Sequence, residues 1–162
     1  MNKEILHGLR RQYDAYKKLG DKTIERLSEE QLNYTPETDS NSIAVLVKHI
    51  HGNMLSRWTE FLTSDGEKPW RKRDQEFENE KLSKEKIMQL WSEGWECFYN
   101  AFDHINPFDL NRKVQIRAKE YTVYDALVIS LAHYAYHIGQ MVYLGKNQLG
   151  EKWESLSVPK KK

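Results

Sequence analysis

The sequence predicts an all-α protein, a four-helix bundle, and two observations carry this prediction. Four stretches repeat apolar residues at the 3.6-residue spacing of an amphipathic helix, and each is bounded by capping or turn residues. The chain has 162 residues, of which 39% are hydrophobic and 30% charged, as is typical of a single globular domain. Four helices of about 20 residues, each about 30 Å long, pack most simply as a bundle.

The first helix is predicted over about residues 3–27. Gly20 and Asp21 are expected to bend or interrupt it. Ser28 stands three residues before Gln31, the spacing of a capping box, which predicts one further short turn before the next loop.

The second helix is predicted to begin at Asn41 or Ser42 and to run to about Leu62. A long polar connection to the third helix follows, of roughly twenty residues, and connections of that length are often functional or docked on the fold. Its basic run 71–73 alternates with acids, which indicates a solvated surface. A connection this long also permits a crossover between the helices.

The third helix is predicted to begin after Ser83 as N-cap and to end before Pro107. Alternating apolar residues in segment 112–121 predict a short strand or hairpin. The fourth helix is predicted from Thr122 to about Lys146.

Composition limits the function classes. We expect one domain over residues 1–150 and a C-terminal tail over 151–162. The formal net charge is +1, and three of the positive charges are the lysines at 160–162, so nucleic-acid binding is disfavoured. The single cysteine, Cys97, fits a reducing compartment. No stretch has the apolar length of a membrane span or the apolar core of a signal peptide, so we expect a cytoplasmic protein without membrane association.

The motif HYAYH in the fourth helix is the strongest chemical signal. His133 and His137 are four residues apart, so both imidazoles lie on one side of the helix and can converge on one metal ion. Such pairs also arise by chance. Tyr134 stands where zinc peptidases of the H-E-x-x-H type carry glutamate, which argues against their mechanism. The predicted inward face of the helix holds Ala126, Ile129, His133, His137, Met141 and Leu144.

The second helix offers two candidates for a third ligand, His49 and His51, and periodicity does not decide between them. Asn53 and Arg57 share the side of His49, so that side is polar and is a candidate pocket lining. Gln140 lies one turn past the histidine pair and is a candidate to orient a ligand or a water, with a satisfied core amide as the alternative.

Two segments, VKHIHGNMLSRW and LAHYAYHIGQMVYL, resemble the DinB-like, or YfiT-like, metalloprotein superfamily. The stretch FLTSDGEKPWRKRDQEFE resembles an uncharacterised branch of it found in Bacillus-type bacteria. The resemblance runs from the first helix to about Gly145. It implies the ligands His49, His133 and His137, because His51 occupies a position usually filled by a small residue.

The resemblance also implies a bound nickel or zinc ion and a homodimer. Characterised relatives include thiol-dependent S-transferases and isomerases that use bacillithiol, mycothiol or glutathione. Three neutral histidines leave at least one position open on a metal, where water would give hydrolysis and a thiolate would give thiol transfer.

We therefore expect a metal-dependent thiol S-transferase acting on small electrophiles. The alternatives are a metal-dependent hydrolase and a non-enzymatic, stress-related metal- or ligand-binding dimer. A metal-free interaction module would require the three histidines to be coincidental.

Overall fold

A computed structural model describes residues 2–156 and shows a mostly helical protein with one small two-stranded sheet. No helix in that range has the length and apolar character needed to cross a membrane. The last six residues of the predicted tail, 157–162, lie outside the described range. The elements are α1 (Asn2–Arg26), α2 (Glu29–Leu32), α3 (Ile43–Trp58), α4 (Lys84–Asp103), β1 (Lys113–Ile116), β2 (Lys119–Thr122) and α5 (Val123–Leu149), with 3₁₀ turns at Arg73–Phe77, Pro107–Asn111 and Gly150–Lys152.

Side-chain caps fix where four of the helices begin. Ser28, Ser42, Ser83 and Thr122 each accept a hydrogen bond from the backbone N–H three residues on. At Ser28 and Thr122 the reciprocal bond of a full capping box is also present. These starts confirm the boundaries that the sequence predicts.

Helix α1 runs without a break, so the predicted interruption at Gly20 is wrong. The glycine instead allows α4 to approach closely, since a Cβ there would overlap the ring of Trp91. That ring is fixed by a hydrogen bond of 2.6 Å from its Nε1 to Asp21 Oδ1. Gly20 and Asp21 therefore hold α1 against Trp91 of α4 and do not interrupt the helix.

Helix α3 ends at Trp58, not near Leu62 as predicted. Glu60 adopts a left-handed backbone with φ of 50°, which ends the helical ladder. The chain must turn here because Gly66, a few residues on, donates its N–H to the carbonyl of Gln115 at 2.8 Å. The apolar spacing continues past Trp58, but the backbone does not follow it.

The predicted hairpin before the last helix is confirmed as an antiparallel pair, β1 and β2. Its turn residues Arg117 and Ala118 have φ of 55° and 58°, a conformation in which glycine or asparagine is usual. The carboxylate of Asp65 accepts both of their N–H groups, at 2.8 and 2.7 Å. This cap holds the turn in place and fixes the position of Arg117.

The four long helices form one closed arrangement. Helix α3 packs against α4 and α5, and α1 packs against α5. Aromatic rings join α1 to α4, with the centroids of Tyr13 and Phe98 4.2 Å apart. The Tyr13 hydroxyl then reaches α5, where it donates to the carbonyl of Leu127 at 2.7 Å.

The inward face of α5 is rotated from the prediction. Ala126, His137 and Met141 are buried as predicted, but Leu127 and Tyr134, outside the predicted face, are fully buried and Ile129 is 44% exposed. The core therefore centres on Tyr134, and His133 lies at its edge, half-buried. This rotation turns the histidines toward the surface that the α3–α4 connection covers.

Candidate metal centre

The Nε2 atoms of three histidines converge beside α3 and α5. Nε2 of His133 lies 3.1 Å from Nε2 of His49 and 3.1 Å from Nε2 of His137. One ligand atom from each of the three lies within 4.8 Å of the others. Bonds of about 2.0–2.1 Å to one ion would hold nitrogens roughly 3.0–3.4 Å apart, which these two separations match.

The other ring nitrogens of two of these histidines have acceptor partners. Nδ1 of His49 lies 2.9 Å from Oε2 of Glu76, and Nδ1 of His137 lies 2.9 Å from Oε1 of Gln140. A carboxylate and an amide oxygen accept hydrogen bonds, so both Nδ1 atoms carry the proton. Each Nε2 of these two residues then presents a lone pair to the centre of the cluster.

With both Nδ1 atoms protonated, the three Nε2 atoms have too few hydrogens to form hydrogen bonds in both of their contacts. Nε2 of His133 faces two acceptor nitrogens and can donate a single proton, so one 3.1 Å contact joins two lone pairs. A single cation would accept all three lone pairs. The donor set therefore fits a metal ion of the imidazole-binding kind.

The protonation state agrees with this fit. Burial, with smaller effects from neighbouring cations and histidines, lowers the pKa of His133 to about 3. Burial lowers the pKa of His137 to about 4. Both imidazoles are neutral at neutral pH, the form that binds metals.

A second layer of side chains comes from the α3–α4 connection. Arg71 holds Glu76 with two hydrogen bonds of 2.8 Å, from Nε to Oε1 and from Nη2 to Oε2. Burial raises the pKa of Glu76, but the hydrogen bonds from His49 and Arg71 outweigh it and lower the pKa overall. The carboxylate is thus ionised and fixed against His49.

Sequence reasoning missed Arg71 and Glu76. It interpreted the basic run 71–73 as a solvated surface, which is wrong for Arg71, whose side chain is only 2% exposed. The Arg73–Phe77 turn packs on α3, and the ring centroid of Phe77 lies 4.7 Å from that of His49. The signal available was the unusual length of the connection.

The remaining histidines lie elsewhere. His51 faces α4, where its Nε2 lies 3.4 Å from Oε2 of Glu93. His7 and His104 are exposed. Of the two candidates on α3, the structure brings His49 to the histidine pair and places His51 on another face.

A cavity of about 660 Å³ opens beside His49 and His133. Asn53 and Arg57 are among the residues that line it. Gln140 does not line it; it is exposed and contacts His137, so the core-amide alternative is wrong. The lining comprises His49, Asn53, Arg57, Arg71, Arg73, Ile116, Arg117, Lys119, Tyr121, Ile129, Ser130, Ala132, His133 and Tyr136.

The fold and the histidine cluster together define a class of protein. Its members are helical, and one histidine of α3 lies beside an H-x-x-x-H pair of α5 at the edge of an open cavity. Comparison with protein families then places the chain. It belongs to the family described as "Protein of unknown function (DUF1572)", whose model matches residues 1–162, and that family is a member of the DinB-like superfamily. None of the curated proteins matches the chain.

Proposed function

We propose that the protein binds one divalent metal ion through His49, His133 and His137. The observation that carries this proposal is the convergence of three Nε2 atoms, with two of the rings oriented by Glu76 and Gln140. Metal-binding histidines characteristically donate their second ring N–H to such acceptors. Nickel and zinc are the candidate ions because the family resemblance implies them; imidazole ligands suit both, as they also suit copper and iron.

We also propose the finer family placement. The helices α1, α3, α4 and α5 correspond to a DinB-like four-helix bundle, supported by their closed arrangement of contacts. The sequence of the α3–α4 connection supports membership of the Bacillus-type branch.

The proposed reaction is thiol S-transfer to a small electrophile, with bacillithiol as the candidate thiol. A divalent ion bound by imidazoles is a Lewis acid that makes a thiol or water nucleophilic near neutral pH. The cavity beside His49 and His133 has the size of a small-molecule site. The described lining residues include no carboxylate, which is one of the side chains that can serve as general base in hydrolysis, and this supports the preference for thiol transfer.

A non-enzymatic metal- or ligand-binding dimer in the cytoplasm is the second candidate. One observation favours a dimer: α5 presents exposed apolar and aromatic side chains at helical spacing, namely Tyr124, Val128, Tyr136 and Tyr143. A homodimer is compatible with either function, so turnover is what separates them.

Elemental analysis of protein purified without a histidine tag tests the metal site. The proposal predicts about one divalent ion per chain in the wild type and a large loss in His133→Ala. Wild-type protein without metal, or a variant with unchanged metal content, would refute it.

Turnover of bacillithiol with a panel of small electrophiles tests the reaction. Metal-loaded wild type is expected to consume the thiol, and His133→Ala is expected to lose this activity. If the wild type binds metal but neither consumes nor binds the thiol, the transferase proposal fails and the metal proposal survives.

A further inference from the structure

Arg57 is a buried cation that forms no close ion pair with a carboxylate of the described residues. Its residue is 8% exposed, and its Nε has no hydrogen-bond partner among the described residues. Within the described part of the chain, its guanidinium makes one side-chain hydrogen bond, a long one of 3.4 Å from Nη1 to Ser130 Oγ. No described carboxylate forms an ion pair with it, although burying an uncompensated charge is costly. The guanidinium can therefore bind a further anion that residues 2–156 do not supply.

The cavity that Arg57 lines has a surplus of positive charge. Among residues 2–156, the lining comprises five cationic residues and no acidic one. Two nearby carboxylates are already shared: Glu76 binds Arg71 and His49, and Glu67 binds Arg71 and Arg117. Lys119, on the rim, has no ion pair in the described part of the chain. Clefts lined by one sign of charge concentrate ligands of the opposite sign.

The position of Arg57 relates this charge to the histidines. It lies eight residues beyond His49 on the same helix, which is about 12 Å along the axis. Asn53 lies between them and also lines the cavity. A small molecule of ordinary size can therefore contact Arg57 at one end and reach the histidines with the other.

We propose that Arg57 forms an oxyanion-binding subsite for a small-molecule ligand that carries a carboxylate or phosphate group. The planar guanidinium fork matches both groups geometrically, and Arg71, Arg117 and Lys119 add to the local field. The inference rests on the proposed function in one respect: the other end of the same ligand is the part that reacts at the histidines. Anion binding at Arg57 itself requires no metal.

Titration calorimetry at low salt with succinate and with inorganic phosphate tests the subsite, with neutral succinamide as the control ligand. Each is titrated into metal-loaded and chelator-treated wild type, Arg57→Gln and Arg11→Gln. Arg11 is an exposed residue of α1, so its variant matches the charge change away from the cavity. We expect binding of at least one anion in both wild-type samples, a loss of roughly tenfold or more in R57Q, and no change in R11Q. The tighter anion identifies the chemical group.

Three results would overturn the proposal: no anion binding by the wild type, equal binding by folded R57Q, or binding that disappears on chelation, which would assign the anion to the metal. If R57Q does not fold, the exposed rim variant Lys119→Gln decides, with weaker binding expected and equal binding contradicting the subsite. Metal content of R57Q is measured in parallel and is expected to match the wild type. A failed metal site and a failed anion subsite therefore give different results.

Discussion

Nδ1 of His49 lies 2.9 Å from Oε2 of Glu76, a residue from the connection between α3 and α4. The carboxylate fixes the ring orientation and keeps the proton on Nδ1, so Nε2 faces His133 as a lone-pair donor. Because Arg71 holds the same carboxylate with two hydrogen bonds, this orientation is rigid. The α3–α4 connection, which has no regular helical periodicity, thus orients the candidate ligand His49.

Glu76→Gln is expected to weaken metal binding by about 10–100-fold, the usual effect of losing a partner of a metal-binding histidine. The amide can present a donor to His49, and Arg71 loses its charged acceptor. Competition with a chelator of known affinity measures the change. Glu78→Gln, an exposed residue of the same segment, is the control and should bind metal normally. Equal affinities for the two variants would show that Glu76 does not support the site.

The pH dependence of stability follows from the lowered pKa values of His133 and His137. In chelator-treated protein the unfolded chain takes up protons on these residues near pH 6.5, whereas the folded chain does so only near pH 3 and 4. Between these limits the unfolded state binds more protons, so the free energy of unfolding falls as the pH falls from about 6.5 to 4. Urea unfolding at several pH values measures this slope.

The double variant His133→Ala/His137→Ala is the control for that slope. It should be less sensitive to pH over the same range, because the two titrating groups are gone. An unchanged slope would mean that these histidines are not held neutral in the folded protein.

Tyr134 connects α5 to α3 in the core below the histidines. It is fully buried, its hydroxyl accepts from Trp58 Nε1 at 2.9 Å, and it donates to Asn53 Oδ1 at 3.1 Å. Tyr134→Phe leaves both partners unpaired, so we expect a loss of about 1–3 kcal/mol in the free energy of unfolding. Tyr143→Phe, at an exposed position of the same helix, should change it by less than about 0.5 kcal/mol. Similar urea midpoints for the two variants would contradict this account of the core.

Two glycines of α1 should respond to alanine in opposite directions. At Gly20 a Cβ would overlap the ring of Trp91, and we expect Gly20→Ala to cost about 1–3 kcal/mol through overpacking. At Gly8 a Cβ would meet no atom within 4 Å, so Gly8→Ala should stabilise the helix by about 0.5–1 kcal/mol. Thermal unfolding of both variants measures the difference. A stable Gly20→Ala protein would mean that α1 and α4 are farther apart than described.

The helices and the histidine pair could be predicted from the sequence because their signals are local. Ser42, Ser83 and Thr122 mark helix starts, and the spacing of His133 and His137 places both on one side of α5. His49 needed the family resemblance, since helical periodicity does not separate it from His51. In the folded protein His49 contacts His133, whereas His51 contacts Glu93. This difference depends on how the helices pack, so the sequence of α3 alone does not show it.

The parts that could not be predicted depend on tertiary contacts. The end of α3 at Trp58 follows from the turn at Glu60 and from the backbone hydrogen bond between Gly66 and Gln115. Gly66 and Gln115 are far apart in sequence. Nor does any pattern reveal that Arg71 is buried beside Glu76. Ile129 is exposed because the inward face of α5 is set by packing against both α1 and α3.

The most direct test of the central claim compares two histidines on the same helix. Untagged wild type, His49→Ala and His51→Ala are loaded with nickel or zinc, dialysed, and analysed for metal content per chain. We predict that His51→Ala retains the wild-type stoichiometry of about one ion and that His49→Ala loses most of it. Equal metal content in the two variants, or loss only in His51→Ala, would contradict the assignment of His49 to the site.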